Sequence, residues 1–283
     1  RPGETMVSKH YRKILGGKGA NQSIALAKAN ARVMHVGAIG FGDDELLDQL
    51  NSSGVDIAHI MQTEHATGHA IIQVNQEAEN AIVLFAGANH QISQTQISQA
   101  LSQAQTGDWV LLQNETNNTK GIIDIAKAAK LPVAFNPAPM DKILTKQVIS
   151  QVDVLIVNEV EAMDLFDVDS TAQAQQLFQT QYPRLTVILT LGSQGVRYIT
   201  QKQVIEVEAF KVEAVDTTAA GDTFIGYCLA GLMEDLPLED ALRRACAASA
   251  LCVTQVGASV SIPSLEQVNQ FLNNNIGSKS HDS

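Results

Sequence analysis

A run of small residues leads into an apolar helical stretch at 221–233, and an acid lies at the junction. The sequence over 216–224 is Asp-Thr-Thr-Ala-Ala-Gly-Asp-Thr-Phe. Because Ala219, Ala220 and Gly221 have little or no side chain, the first N–H groups of the helix are free to bind an anion such as phosphate. Asp222 falls in the first turn, where a carboxylate can act as a general base toward an attacking hydroxyl. The alternative is that Asp222 only caps the helix.

A glycine-rich segment near the start of the chain, Gly16-Gly17-Lys18-Gly19-Ala20-Asn21, offers a second place for a ligand. Its glycines let the backbone approach a ligand closely, and Lys18 and Asn21 carry donors suited to hydroxyl groups. The spacing is not GxxxxGK[ST], which disfavours a P-loop nucleotidase. An ordinary turn before a helix over 20–29, ended by Asn30, is the alternative.

Three further candidates follow predicted strands. Asn158 and Glu161 could hold metal-bound water, although the same spacing is that of a helix capping box. The segment Thr190-Leu191-Gly192-Ser193-Gln194-Gly195 would let a nucleotide lie against backbone, or it is a plain turn. Glu115 follows the strand 109–113 and is a candidate for binding substrate hydroxyls at the carboxyl edge of a sheet, or it is a solvated loop acid.

The elements that must position these residues alternate between short apolar strands and helices. This alternation predicts an α/β protein whose parallel sheet is covered on both faces. Residues 70–74 and 81–85 are predicted to form a hairpin that interrupts the rhythm, either a flap over a site or an edge hairpin without function. The other predicted strands are 33–38, 109–113, 132–136, 154–158, 186–190 and 195–199, and the predicted helices are 20–29, 121–130, 171–179, 221–233 and 238–253.

The composition disfavours several functional classes. The 283 residues are 45% hydrophobic, and 19 Lys and Arg face 30 Asp and Glu, a net charge of −11 that disfavours nucleic-acid or membrane-surface binding. No apolar run approaches the about 18 residues of a membrane span, and the start has no signal-peptide pattern. The three cysteines, Cys228, Cys246 and Cys252, lack disulfide or zinc spacing, which predicts reduced thiols in a cytoplasmic protein. The seven histidines also lack the spacing of a zinc site.

Taken together, the segments 16–21 and 216–222 resemble the ribokinase-like (PfkB) carbohydrate kinases. Other pieces of the family pattern follow in the same order, so that the resemblance covers about residues 2–272. These pieces are Thr67-Gly68, Ala86-Gly87-Ala88-Asn89, Asn136-Pro137-Ala138-Pro139, Asn158-Glu159-Val160-Glu161, Thr190 to Gly195, and Gly257 to Pro263.

The resemblance implies a doubly wound, mostly parallel sheet flanked by helices, with a small β-rich lid. It implies one domain over 1–283, with the lid formed by about 3–15 and 67–88. It also implies transfer of a phosphoryl group from MgATP to a sugar, with the 5-hydroxyl of D-ribose as the expected acceptor. Deoxyribose, 2-keto-3-deoxygluconate and adenosine are alternative acceptors. Asp222 would be the base, and the N–H groups of 219–222 would form the anion hole.

The resemblance assigns the remaining site residues by matching position. The sugar would be held by Gly16, Gly17, Lys18, Asn21 and Glu115, beside Asp222. ATP would be bordered by Asn158, Thr190, Leu191, Gly192, Ser193, Gln194, Gly195, Gly221, Asp222 and Cys246. Glu161 would order Mg²⁺ through water. A potassium loop built mostly from backbone carbonyls would use Asp216, Thr218, Cys252, Gln255, Gly257 and Ser261.

The chain departs from the family at its front. The family begins with a strand whose Asn and Asp grip the sugar, whereas here Pro2-Gly3-Glu4-Thr5 stands almost first. A core strand would then be missing, which leaves unpaired sheet edges. Two hypotheses follow: a fragment of a longer active enzyme, or an inactive relative that still binds sugar or nucleotide. A second departure lies within 37–50, where the helix ends several residues earlier than in the family. It affects the local packing of helix on sheet and not the chemistry. The resemblance also implies a homodimer, because several family members pair through their lids, and the apolar strand 81–85 suits such a contact.

Overall fold

The computed structural model describes residues 11–74 and 80–277. Within them, helices and strands alternate along most of the chain. The helices are α1 (Lys18–Lys28), α2 (Asp44–Ser52), α3 (Gln94–Leu101), α4 (Thr119–Ala128), α5 (Lys142–Val148), α6 (Glu159–Phe166), α7 (Thr171–Gln181), α8 (Ala220–Met233), α9 (Leu238–Cys252) and α10 (Leu265–Gly277). The strands are β1 (Val33–Gly40), β2 (Val55–Thr63), β3 (His69–Val74), β4 (Asn80–Phe85), β5 (Val110–Gln113), β6 (Val133–Asn136), β7 (Val154–Asn158), β8 (Thr186–Thr190), β9 (Val196–Ile199) and β10 (Val204–Val207).

The main sheet has six strands in the order β10-β9-β8-β7-β6-β5. Strands β5 to β8 run parallel, and β9 and β10 continue the sheet antiparallel. The central strands β6 and β7 are apolar and buried up to their last residues, Asn136 and Asn158, as expected of strands that helices cover on both faces. One core cluster lies on each side of this sheet, and α1, α8 and α9 belong to one of them. The predicted α/β fold with a mostly parallel sheet is confirmed.

A second sheet pairs β1 with β2 in parallel. In the described residues it is not hydrogen-bonded to the main sheet, so β1 has a partner only in β2 and β5 only in β6. Both strands therefore keep one open edge. Open edges of this kind were expected if one core strand of the family is not present, and that expectation stays a prediction.

The predicted elements are present, with bounds that differ by at most two residues. The helix predicted over 121–130 begins at Thr119 and ends at Ala128, and the helix predicted over 20–29 already begins at Lys18. Asn30 has φ +67°, the left-handed conformation predicted for the end of α1. Strands β2 and β10, whose polar residues interrupt the apolar run, were not predicted, and neither were α3, within a Gln-rich stretch, α5 and α10.

The predicted hairpin is formed by β3 and β4, with His69 opposite Phe85 and Ile71 opposite Val83. Ile71 and its neighbour Ile72 are both exposed, as are Val83 and Phe85, so both faces of the hairpin are apolar and open. Of the other predicted lid segment, residues 3–10 lie outside the described residues, and 11–15 form no helix or strand.

Helix α1 packs closely on α8 at a glycine. A Cβ built on Gly226 would lie 2.4 Å from the Cβ of Ala25 and 2.8 Å from the backbone nitrogen of Leu26. Only a residue without a side chain permits this approach of two helices. The contact brings the first turns of α1 and α8 side by side, and these turns contain the glycine-rich segment and Asp222.

His35, on β1, gives the fold a testable dependence on pH. Its Nδ1 is 2.8 Å from the hydroxyl of Ser23, and burial lowers the pKa of His35 to about 4. The unfolded chain, with a histidine pKa of about 6.5, binds more protons than the folded chain between these values, so the free energy of unfolding falls as pH drops through that window.

Between pH 7 and pH 5.5 we expect this histidine to lower the free energy of unfolding by about 1 kcal/mol, measured by urea denaturation. His35→Asn keeps an acceptor for Ser23 and should remove that part of the pH dependence. An equal change in wild type and variant would contradict the assignment.

Candidate active site

Asp222 lies in the first turn of α8, where no side chain caps the helix. The N-cap residue is Ala219, with φ +61°, and its carbonyl accepts the N–H of Thr223. A Cβ built on Gly221 would meet no heavy atom within 4 Å, so the space in front of this turn is open. A helix N-terminus that faces open space through small residues can bind an anion.

Two amide side chains of α1 hold the carboxylate of Asp222. Asn21 donates through Nδ2 to Oδ2 at 2.9 Å, and Gln22 donates through Nε2 to Oδ1 at 2.8 Å. Asp222 is 9% exposed, so its carboxylate is largely enclosed by these partners. Amide donors to both oxygens orient an ionised carboxylate, because in that form it only accepts hydrogen bonds.

Glu115 joins the glycine-rich segment to the end of β5. The backbone N–H of Lys18 donates to Oε2 of Glu115 at 2.8 Å, and a Cβ on Gly17 would lie 3.8 Å from the same oxygen. Burial raises the pKa of Glu115; the Lys18 N–H opposes this shift, and the nearby negative charge of Asp222 adds to it. The structure thus brings the predicted sugar-binding residues and the predicted base into one site.

Asn158 and Glu161 form a capping box at the start of α6. The side chain of Asn158 accepts the N–H of Glu161 at 2.9 Å, and Oε2 of Glu161 accepts the N–H of Asn158 at 3.0 Å. This is the structural alternative weighed from the sequence, and it occupies one oxygen of each side chain. Both residues lie at the carboxyl end of the sheet, where Asn158 is in register with Thr190 of β8.

The segment 190–195 is a tight turn between β8 and β9. Gly195 has φ +112°, and a Cβ there would lie 2.1 Å from the carbonyl oxygen of Val207. Gly192 has φ +54° and no heavy atom within 4 Å of a built Cβ. Gly195 is therefore required by the fold, whereas Gly192 faces open space.

The predicted potassium loop is held together by hydrogen bonds. Asp216 accepts the N–H groups of Thr218 at 2.9 Å and Gly257 at 3.0 Å. The pKa of Asp216 is lowered foremost by the side-chain hydroxyl of Thr218, and these two backbone bonds lower it further. Ser261 donates to the carbonyl of Gly257 at 2.7 Å, and its hydroxyl is 3.2 Å from the thiol of Cys252. Gln255 stands exposed in the turn after α9, where its N–H bonds the carbonyl of Cys252.

Cys246 is buried in the core between the helices, and burial raises its pKa to about 12. Its thiol is therefore not available as a reactive group. In the described part of the chain, no three His, Cys, Asp or Glu side chains gather as a metal site. None of the helices described there is long and apolar enough to cross a membrane.

Comparison with known proteins decides the family. Residues 1–265 match the pfkB family carbohydrate kinases. The chain belongs to this family. A ribokinase of Haemophilus influenzae is 36% identical over 282 residues, which are 96% of this chain and 92% of that protein.

Solved structures of PfkB kinases share the fold. Thermotoga maritima ribokinase aligns with a TM-score of 0.86 at 33% identity, over 97% of this chain and 93% of that one. Arabidopsis thaliana ribokinase, complexed with ribose and ATP, aligns with a TM-score of 0.83 at 27% identity, over 95% of this chain and 91% of that one.

Sequence reasoning missed three amide side chains of this PfkB kinase that surround the Asp222 site. Gln22 follows Asn21 directly in α1, whereas Gln113 and Asn136 are the last residues of β5 and β6. Their position at the carboxyl edge of the sheet was a usable signal. The hydrogen bonds among them could not be predicted from the sequence, because they join segments that are about a hundred residues apart.

Proposed function

We propose that this chain is an ATP-dependent ribokinase that transfers the γ-phosphoryl group of ATP to the 5-hydroxyl of D-ribose. The observation that carries the proposal is the oriented carboxylate of Asp222 at an uncapped helix start, close to Glu115 and the glycine-rich segment. Base, anion site and hydroxyl-binding groups are the parts that phosphoryl transfer to an alcohol requires.

In this mechanism Asp222 accepts the proton of the 5-hydroxyl as that oxygen attacks the phosphorus atom. The N–H groups of 219–222 donate to the phosphoryl oxygens, whose negative charge the helix N-terminus stabilises. Glu115, Lys18 and Asn21 orient the sugar, with Gly16 and Gly17 leaving room for it. Positioning and charge stabilisation supply most of the acceleration in reactions of this type.

The nucleotide would lie along the turn 190–195 and the start of α6. Glu161 keeps Oε1 and Asn158 keeps Nδ2 outside the capping-box bonds. One carboxylate beside the substrate phosphates fits Mg²⁺, which keeps several of its waters and uses few protein ligands. Bound there through water, Mg²⁺ would neutralise charge on the phosphates.

A monovalent cation fits the loop of Asp216, Thr218, Cys252, Gln255, Gly257 and Ser261. Backbone carbonyls of Thr218 and Gly257 and the Ser261 hydroxyl converge near the Cys252 thiol. Oxygen donors of this kind suit potassium, and two of the residues, Asp216 and Thr218, come just before the anion site in the chain. Potassium is therefore expected to raise the activity, and a rate equal in sodium-only and potassium buffers would contradict this part.

The hairpin β3–β4 is proposed to act as a lid over the sugar and to pair with a second copy of the chain. Support comes from its two apolar faces, since one can cover the site while the other is buried between copies. A homodimer is proposed accordingly. A cytoplasmic location is proposed from the cysteine pattern. Sedimentation at micromolar concentration checks the assembly, and a monomer mass would contradict it.

The deciding experiment measures ATP-dependent phosphorylation of D-ribose by the purified chain. Deoxyribose, 2-keto-3-deoxygluconate and adenosine serve as competing acceptors, and the highest kcat/KM identifies the substrate. Phosphorylation of another acceptor would replace ribose in the proposal. Binding of sugar or nucleotide without turnover by a folded chain would favour the non-catalytic relative.

Glu115→Gln tests the sugar-binding assignment. The variant keeps an acceptor for the Lys18 N–H but loses the charge that strengthens hydrogen bonds to sugar hydroxyls, so KM for ribose should rise about tenfold or more. The KM for ATP should stay within about twofold, because Glu115 lies on the sugar side. Steady-state kinetics in both substrates checks this, and equal changes in the two KM values would contradict it.

A further inference from the structure

A chain of amide side chains lies behind the candidate base. Gln113 donates through Nε2 to Oε1 of Gln22 at 2.6 Å. Gln22 in turn donates through Nε2 to Oδ1 of Asp222 at 2.8 Å and to Oδ1 of Asn136 at 3.2 Å. Asn136 donates through Nδ2 to the carbonyl of Ile156 at 2.9 Å. The chain therefore connects the base to strands β5, β6 and β7.

These contacts leave the amide of Gln22 one orientation. Its NH₂ group has two hydrogens, and both have acceptors, in Asp222 and Asn136. Its carbonyl oxygen accepts the donor of Gln113. If the amide of Gln22 were flipped, its NH₂ group would face the NH₂ group of Gln113, and its oxygen would face the two acceptors Asp222 and Asn136. Both contacts are unfavourable in a buried site.

Gln22 is 0% exposed, so it cannot reach a sugar or a nucleotide. Asn21 donates to the other carboxylate oxygen and belongs to the glycine-rich segment. The two amides therefore differ in role: both hold the carboxylate, but Gln22 has no path to a ligand.

We propose that Gln22 is a positioning residue that sets the orientation of the Asp222 carboxylate for proton transfer, with Gln113 and Asn136 setting the orientation of Gln22. This inference rests on the proposed kinase function. A general base must present a lone pair to the hydroxyl within hydrogen-bond reach, and a carboxylate free to rotate spends less time in that geometry.

The first test is Gln22→Met, which keeps the length of the side chain and removes its hydrogen bonds. We expect kcat to fall about 10- to 100-fold while KM for ribose changes less than about threefold, because the base is displaced and the sugar contacts remain. The matched control is Gln96→Met. Gln96 is also buried, and its side-chain amide bonds only the carbonyls of Gly37 and His59, neither of which hydrogen-bonds Asp222.

A structural role alone would lower the melting temperature of both variants and leave kcat per folded molecule similar. That result for Gln22→Met would overturn the proposal.

If Gln22→Met fails to fold, Gln113→Met acts on the same chain of amides from a partly exposed position and should lower kcat about three- to tenfold. Where Gln22→Met folds, the two effects on kcat should not multiply in the double variant, because Gln113 acts through Gln22. Multiplying effects, or a Gln113→Met variant with wild-type kcat, would overturn the proposal.

Crystal structures of wild type and Gln22→Met separate this inference from the proposed function. A rotated or disordered Asp222 carboxylate in the variant supports positioning, and an unmoved carboxylate overturns it, whatever the acceptor. Failure of wild type to phosphorylate any sugar would overturn the kinase proposal and, with it, the claim on proton transfer.

Discussion

Asp222→Asn is expected to lower kcat for ribose phosphorylation by a factor on the order of 10² to 10⁴. Asparagine has the shape of aspartate but cannot accept a proton at neutral pH, so the attacking hydroxyl loses its base. The amide would also bring a donor toward Asn21 or Gln22, both of which donate to the native carboxylate. Single-turnover measurement of sugar phosphate formation reports this step directly.

Asp240→Asn is the matched control for that substitution. Asp240 is the third residue of α9, as Asp222 is the third residue of α8, and both lie in the first turn. Each variant loses a favourable charge at a helix N-terminus, which is worth about 0.3 to 1 kcal/mol. If Asp222 served only as a cap, the two variants would lose similar stability and keep similar kcat. A catalytic rate in Asp222→Asn within about threefold of wild type would contradict the base assignment.

Gly226→Ala is expected to destabilise the fold and the site together. The added Cβ would lie 2.4 Å from Ala25 and 2.8 Å from the backbone of Leu26, so α1 must move away from α8. Overpacking of this kind costs about 1 to 3 kcal/mol, and alanine gains roughly 1 kcal/mol in helix propensity, so a net loss of up to about 2 kcal/mol is expected. Because Asn21 and Gln22 travel with α1, the carboxylate of Asp222 loses its partners, and kcat should fall at least about tenfold.

The second variant, Ala25→Gly combined with Gly226→Ala, tests this explanation. It removes the nearest clashing atom but leaves the contact with the Leu26 backbone, so partial recovery of stability and kcat is expected. Urea denaturation and steady-state kinetics measure the two quantities. A Gly226→Ala variant with wild-type stability would show that the helices can separate at no cost, contrary to the packing described above.

The order of elements and the main chemical groups were predictable from local patterns. Continuous apolar runs predicted the buried parallel strands, because strands covered on both faces carry no polar alternation. The small residues before Asp222 predicted an open helix start, since an uncapped N-terminus needs little more than a local sequence without bulk. The hairpin of β3 and β4 was predictable by the same local reasoning.

Two other features were left open by the local sequence patterns. Asn158 and Glu161 were candidates for metal-bound water, and the structure uses them as a capping box whose geometry the spacing alone allowed but did not require. Strand β2 escaped prediction because its polar residues interrupt the apolar run, and its pairing with β1 is tertiary.

The sequence by itself determined which groups are available: a carboxylate at a helix start, a glycine-rich segment and an acid at a strand end. The tertiary structure decided that they form one site, because Gly226 lets α1 approach α8 and so brings Asn21 and Gln22 to Asp222 across about two hundred positions of chain. Side-chain hydrogen bonds over such separations depend on packing to within a fraction of an ångström, which local sequence patterns do not encode.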